Sequence, residues 1–321
     1  MKRVALTLAR ALIWLGAGAP AEAQTYPNRR VTLMVGFAEG GPNDILGRLI
    51  AKALSDRLRQ TFEVVNKSGA SGNLATEAVA KAAPDGYTLL LIGPANAINT
   101  SLFTNLPFDF RKDIAPIAGI TREALAMVVH PGVAAHTVAD FLTLAKADPG
   151  KFRMASTGVG SAPHVSGVLF NKMTGIDLPI VHFAGGGPAL KDLIAGQTQM
   201  MFEPMSASIE PVKSAKLRAL AVTTASRAPA LPNVPTLADT VPGYEASAVT
   251  GIGAPAGTPA AIVETLNKAI NAALADPKVA AELAGTGGTP LTGSQADFAA
   301  ILAGEVEKWR VVVKAAGIAS N

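Results

Sequence analysis

The sequence holds no cysteine at all. A disulfide frame, a thiolate nucleophile and a cysteine-linked lipid anchor are therefore excluded. Aromatic residues make up only 5% of the chain, too few for the stacking faces that sugar sites and nucleic-acid surfaces use. The formal charge of +4 is small, and Lys2, Arg3 and Arg10 against Glu22 place about half of it in the first 23 residues. No Lys/Arg run of nucleic-acid type remains. There is no Gly-x-Ser-x-Gly elbow, no Walker loop and no His-Glu-x-x-His. Gly158-Val159-Gly160 lacks the third glycine of a dinucleotide fingerprint. His130, His136, His164 and His182 are scattered without metal-ligand spacing. Neither an enzyme nor a metalloprotein is expected, and no cofactor.

What is present is a chain of 321 residues with 49% hydrophobic content, enough for a large core in one or two domains. Its start reads as an export signal covering residues 1–23. Lys2 and Arg3 are followed by the apolar run Ala11 to Ala19, and Ala21-Glu22-Ala23 forms an Ala-x-Ala site with cleavage expected after Ala23. That run is too short to cross a bilayer, so a periplasmic location is expected. From Tyr26 onward short apolar runs alternate with helical patterns: Val31 to Val35, a helix from about Asp44 to Gln60, Phe62 to Val65, a helix ending at Pro84-Asp85-Gly86, Tyr87 to Ile92, then a polar turn at Pro94-Ala95-Asn96. A second series has strands at Leu125 to Val129 and near Ile180, Met200 and Leu220. Thr137 to Asp140 reads as a capping box, and Thr258-Pro259 as a helix start with threonine as cap. Last come a strand at Val249 to Ala254 and helices at about 260–275 and 295–314. This alternation predicts an α/β fold with a mainly parallel sheet and ligands at the carboxyl ends of the strands. The strands near Leu125 and Val249 are candidate crossovers, dividing the mature chain into one lobe of 24–124 plus 249–321 and a second of 125–248.

Two glycine-rich turns stand out, Phe37-Ala38-Glu39-Gly40-Gly41-Pro42-Asn43-Asp44 and Ser156-Thr157-Gly158-Val159-Gly160-Ser161-Ala162-Pro163-His164. Each follows an apolar run and feeds a helix, so N–H groups and the positive end of the helix dipole suit a carboxylate or phosphate. Each residue also has a simpler reading. Gly40 and Gly41 either contact ligand or simply close a turn, Asp44 favours a helix N-terminus, His164 packs or contacts ligand, and Glu203 is a solvated strand end or the partner of a ligand amine. Phe37, Phe183 and Phe202 are core residues, or the first two wall a cleft.

These segments are similar to the Bug (TctC-like) family, the extracytoplasmic solute-binding receptors of tripartite tricarboxylate transporters. The resemblance runs from Tyr26-Pro27 to Ala315-Ala316-Gly317-Ile318. Its motifs are Phe37-x-x-Gly40-Gly41-x-x-Asp44, Gly69-Ala70-Ser71-Gly72-Asn73, Ala83-Pro84-Asp85-Gly86-Tyr87-Thr88-Leu89, Ser156-Thr157-Gly158-x-Gly160-Ser161-x-x-His164, Lys216 to Val222 and Ala254 to Pro259. It implies a two-lobe periplasmic binding protein fold, type 2-like, with a ligand cleft between lobes joined by two crossover segments. It also implies a monomer that hands a small organic carboxylate to membrane subunits. Carried over residue by residue, the cleft comprises Phe37, Glu39, Gly40, Gly41, Asn43, Asp44, Ser71, Asn73, Asn96, Ser156, Thr157, Gly160, Ser161, His164, Phe183, Ala184, Gly185 and Glu203.

Two positions depart from the family pattern. Glu39 stands where relatives usually carry a small neutral residue, and Ala184 where many carry Lys or Arg. A like charge about 6 Å from an anion costs roughly 3 kcal/mol at an effective dielectric of about 20. The expected ligand is therefore a monocarboxylate, an amino acid or an aromatic acid or amide rather than a tricarboxylate. The alternatives are a sugar or other neutral solute, or an orphan sensory role. If Glu39 points into solvent, its charge changes nothing.

Overall fold

The computed structural model describes residues 26–318, and the expected export signal lies outside them. β1 (Val31–Val35) is followed by α1 (Pro42–Leu58), which carries proline in its first turn, where a missing N–H has no helical partner to lose, and stops at Arg59 in the left-handed conformation. Next come β2 (Phe62–Asn66), α2 (Asn73–Ala80), β3 (Thr88–Ile92), α3 (Pro94–Leu102) and the single turn α4 (Phe110–Asp113). β2 and β3 flank β1 in parallel, as helical crossovers require.

β4 (Ile114–Val129) is 16 residues long and buried along most of its length. After it come α5 (Val138–Ala147), β5 (Met154–Ser156), α6 (Ala162–Thr174), β6 (Ile180–His182), α7 (Gly186–Ile194), β7 (Met200–Pro204), α8 (Met205–Lys213) and β8 (Arg218–Val222). The chain returns through β9 (Ser247–Pro255), α9 (Ala260–Leu274), α10 (Pro277–Gly285), β10 (Gly288–Pro290) and α11 (Gln295–Ala316). The sheet order is β2-β1-β3-β9-β4-β7-β5-β6, with β10 and β8 also on β4.

β4 serves two lobes. Between Ile114 and Ala124 it pairs with β9, and from Leu125 to Val129 it pairs with β7 and β8. The second crossing lies at Ala246, whose N–H still reaches Thr223 of the second strand group before β9 joins the first. Both crossings are tied to α11. Arg122 Nη1 donates to Ser247 Oγ (2.6 Å), while Lys308 Nζ donates to Glu245 Oε2 (2.9 Å) and Glu305 Oε1 (2.8 Å). Burial opposes ionisation of Glu245, but Lys308, Ser247 and Arg122 hold its pKa below the usual carboxylate range. One apolar cluster runs from Leu90 and Ile98 through Met127 to Phe170, Phe202, Tyr244 and Trp309, so the core is continuous across the crossings.

Several expectations need correction. The sheet is mixed, because every pairing of β4, and that of β3 with β9, is antiparallel. Pro94-Ala95-Asn96 is the first turn of α3, with Asn96 Oδ1 accepting the Gly93 N–H at 2.8 Å. The helix after Gly72 stops at Ala80. Thr258 does not cap α9, since its hydroxyl donates to the Pro255 carbonyl at 2.7 Å and Pro259 occupies the cap position. The box at Thr137 and Asp140 is present.

Candidate functional site

On the first lobe, the turn after β1 is held by Asp44, which is 2% exposed. Its Oδ2 accepts from the Gly40 N–H and from Arg48 Nε, both at 2.9 Å, and its Oδ1 accepts from Asn66 Nδ2 at 3.0 Å. The hydrogen bond from Arg48 is the main cause that holds the Asp44 pKa at about 2, against the opposing pull of burial. The Asp44 carboxylate and the Gly40 N–H are therefore occupied within the turn. Glu39 accepts from Arg48 Nη2 at 2.9 Å and its side chain is 77% exposed. Its charge is paired and faces water, which weakens the expected repulsion of a polyanion. Glu39→Ala is expected to change succinate or citrate affinity by less than about twofold, read by calorimetric titration.

The donors left over are backbone groups. α1 has Gly41 at its cap position with no side-chain cap, so the Asn43 and Asp44 N–H groups lack helical acceptors. α2 also starts uncapped, at Gly72, leaving those of Leu74 and Ala75. The two turns touch backbone to backbone, as a Cβ on Gly36 would lie 2.8 Å from the Gly72 Cα. The Phe37 ring lies beside Gly72 and is 36% exposed. Asn99 Nδ2 donates to the Ser71 carbonyl (2.9 Å) and to Asn73 Oδ1 (2.8 Å), and Asn73 Nδ2 is buried without a partner. Asn96 is spent internally, its Nδ2 donating to Thr76 Oγ1 at 2.8 Å.

On the second lobe, β5 and β6 run in parallel with Ser156 opposite His182, and Ser156 Oγ meets His182 Nδ1 at 2.8 Å. Ser156 is fully buried, so this contact pins two strand ends and presents no nucleophile. Ser161 Oγ caps α6 by accepting the His164 N–H (3.3 Å) and donates to the Gly158 carbonyl (2.7 Å). His164 Nδ1 accepts the Gly160 N–H at 3.0 Å, which assigns its proton to Nε2. Burial first, then the charge of His182, pushes the His164 pKa down to about 4. Gly160 and His164 thus satisfy each other. The same device holds both turns: the third helical residue, Asp44 or His164, accepts the N–H of the glycine before the cap.

α7 starts uncapped on this lobe. Gly185 stands at its cap position with φ 111° and no side-chain cap, leaving the Gly186 and Gly187 N–H groups. A Cβ on Gly186 would lie 3.7 Å from Glu203 Oε1 and 3.8 Å from Thr157 Cγ2. Glu203 is 2% exposed, its Oε2 has no partner, and burial first, then the charge of Glu123, pushes its pKa up to about 8. Burial thus favours its protonated form, which is able to donate. Phe183 is half-buried against the lobe core while Ala184 is exposed; Phe202 is fully buried.

The lobes meet through α3. Gly160 has φ 76°, and a Cβ there would lie 2.3 Å from Leu102 Cδ2, one helical turn from Asn99 and its bonds to Ser71 and Asn73. Gly160→Ala combines a left-handed backbone with that clash. We expect about 2 to 4 kcal/mol of destabilisation, measured by denaturant titration. Cavities of about 450 Å³ at the crossings, beside Arg122 and Arg227, and about 440 Å³ beside Ser101 and Arg310 contain none of the candidate residues. Among the described residues no group of three or more His, Asp or Glu is placed to hold a metal ion.

Sequence reasoning missed Arg48, Asn66, Asn99, Leu102 and His182. Arg48 had a signal, its i,i+4 spacing from Asp44; the others act through contacts distant in sequence.

A family model described as tripartite tricarboxylate transporter family receptor, TctC, matches residues 46–318. The BugT protein of Bordetella pertussis is 34% identical over 305 residues, covering 94% of this chain and 94% of its own. Among solved structures, R. palustris Rpa4515 with adipate matches at TM-score 0.84 and 37% identity, covering 92% of this chain and 99% of that one. MatC from Rhodopseudomonas palustris with bound malate matches at TM-score 0.79 and 32% identity, covering 90% of this chain and 100% of its own.

Proposed function

The chain belongs to the tripartite tricarboxylate transporter receptor family, and from that premise we propose that it captures a small carboxylate in the periplasm for membrane transporter subunits. One observation carries the reading: uncapped helix N-termini from both lobes, those of α1 and α2 on one side and α7 on the other, stand at strand ends linked by the contact of Gly160 with Leu102. Such ends attract anions through free N–H groups and the helix dipole. The ligand carboxylate accepts from the N–H groups of Asn43, Asp44, Leu74 and Ala75. Its far end lies by Gly186, Gly187, the Thr157 hydroxyl and Glu203. Asn73 Nδ2, buried and unpartnered, is a further donor.

Lobe motion would pivot where β4 changes partners, which supports lobes of 24–124 plus 249–321 and 125–248. Differential affinity for the closed form drives the shift, and a closed monomer docks on the membrane subunits. A singly charged ligand is favoured over a tricarboxylate on grounds other than Glu39. The Arg48 guanidinium is engaged by Asp44 and Glu39, and no Lys or Arg lies among the candidate residues. Relatives solved with adipate and with malate support carboxylate recognition in general. A thermal-shift panel of mono-, di- and tricarboxylates, amino acids, aromatic acids and sugars tests this. Stabilisation by monocarboxylates, amino acids or aromatic acids above tricarboxylates is expected; stabilisation by sugars alone overturns it.

A further inference from the structure

Large apolar side chains exposed on the segments of one site call for a reason, and here several lie in the turns and first helical turns of the candidate site. Phe37, Ile45, Leu74 and Val159, four of the seven large apolar side chains exposed among the described residues, lie on the segments that form the candidate site. Leu74 is 41% exposed in the first turn of α2, beside the N–H groups proposed to hold the carboxylate. The Phe37 ring borders the same turn at Gly72. From the other lobe, Val159 is 51% exposed between Gly158 and Gly160, the latter against Leu102. None of these side chains completes a core; Val31, Leu33 and Ile50 do that behind the site.

The polar inventory agrees. The guanidinium in the first turn of the site, Arg48, is already engaged by two carboxylates, so it offers a second ligand carboxylate no free charge. We propose that Leu74 and Val159 determine specificity by covering an apolar body, a straight alkyl chain of several carbons, attached to the captured carboxylate. This rests on the carboxylate reading above and names its substrate class: medium-chain carboxylic acids rather than short, heavily hydroxylated or multiply charged ones. Leu74 would cover the chain next to the carboxylate and Val159 its far side once the lobes close, so that each added methylene leaves water.

The test is calorimetric titration of the full mature chain with acetate, butyrate, hexanoate and octanoate, beside malate and citrate. Affinity is expected to rise about threefold per methylene up to hexanoate. Leu74→Ser and Val159→Ser change exposed side chains and should keep the unliganded melting temperature of the wild type, and each should lower hexanoate affinity about three- to tenfold and flatten the gain per methylene. An affinity that does not grow with chain length overturns the proposal and leaves carboxylate capture standing, as does an unchanged slope in both variants. If no carboxylate of any length binds, carboxylate capture itself falls and this inference with it.

Discussion

Glu203→Gln is expected to raise the melting temperature at pH 8 by about 8 °C and to leave it nearly unchanged at pH 4.5. Glu203 is buried, its Oε2 is unpartnered, and its pKa is pushed up to about 8 by burial and by the charge of Glu123. Below the ordinary glutamate pKa both folded and unfolded chains carry the proton, and the group is neutral in the balance. Between about 4.5 and 8 the folded chain keeps a proton that the unfolded chain has lost, so stability falls as pH rises. Above 8 the full penalty applies, about 4 kcal/mol, which for a chain of this size is about 8 °C. Glutamine has no charge to bury and escapes it. His164 works in the opposite sense at lower pH: with its pKa pushed down to about 4, stability falls as pH drops from about 6.5 to 4, because only the unfolded chain takes up the proton. Between 4.5 and 6.5 the two slopes cancel, and the decline above 6.5 belongs to Glu203. Thermal melts of wild type and Glu203→Gln from pH 4.5 to 8.5 read the effect directly; parallel curves would show that Glu203 is ionised in the fold.

The second large effect is a loss. Asp44→Ala removes the acceptor of three hydrogen bonds and strands the Gly40 N–H and one face of the Arg48 guanidinium, while the Asn66 amide keeps only its bond to the Phe37 carbonyl. We expect about 3 kcal/mol of destabilisation, or about 6 °C, and at least tenfold weaker ligand binding because the first turn of α1 is no longer held. Asp44→Asn, which keeps the shape and loses the charge, should fall between. The Asp44 pKa of about 2 lies below its ordinary value, so its contribution is present above about pH 4 and disappears as pH falls toward 2. A variant equal to wild type in stability would mean that the turn stands without this carboxylate.

Local patterning made the alternation of strands and helices legible. The run Leu89-Leu90-Leu91-Ile92 and the stripe of Ile50 and Leu54 specify their elements within a few residues. Both glycine turns were legible as turns, since glycines with positive φ precede each helix. That their N–H groups are taken by Asp44 and His164 was less so, although both acceptors stand four residues after the glycine concerned. The length of β4 and the antiparallel pairings were hidden, because a strand buried on both faces shows no alternation and its partners come from distant parts of the chain. Glu39 misled because charge near a turn was visible while its pairing with Arg48, nine residues on, was not. The contact of Ser156 with His182 depends on the register of two strands, which composition does not encode.

A crystal structure of the mature protein grown with the carboxylate that stabilises it most tests the central claim most directly. The account predicts one carboxylate group within about 3 Å of N–H groups from the first turns of α1 and α2, with the rest of the ligand reaching the start of α7 across a closed gap. A ligand seated instead in the cavity beside Arg122 and Arg227, or held by one lobe alone, would contradict it.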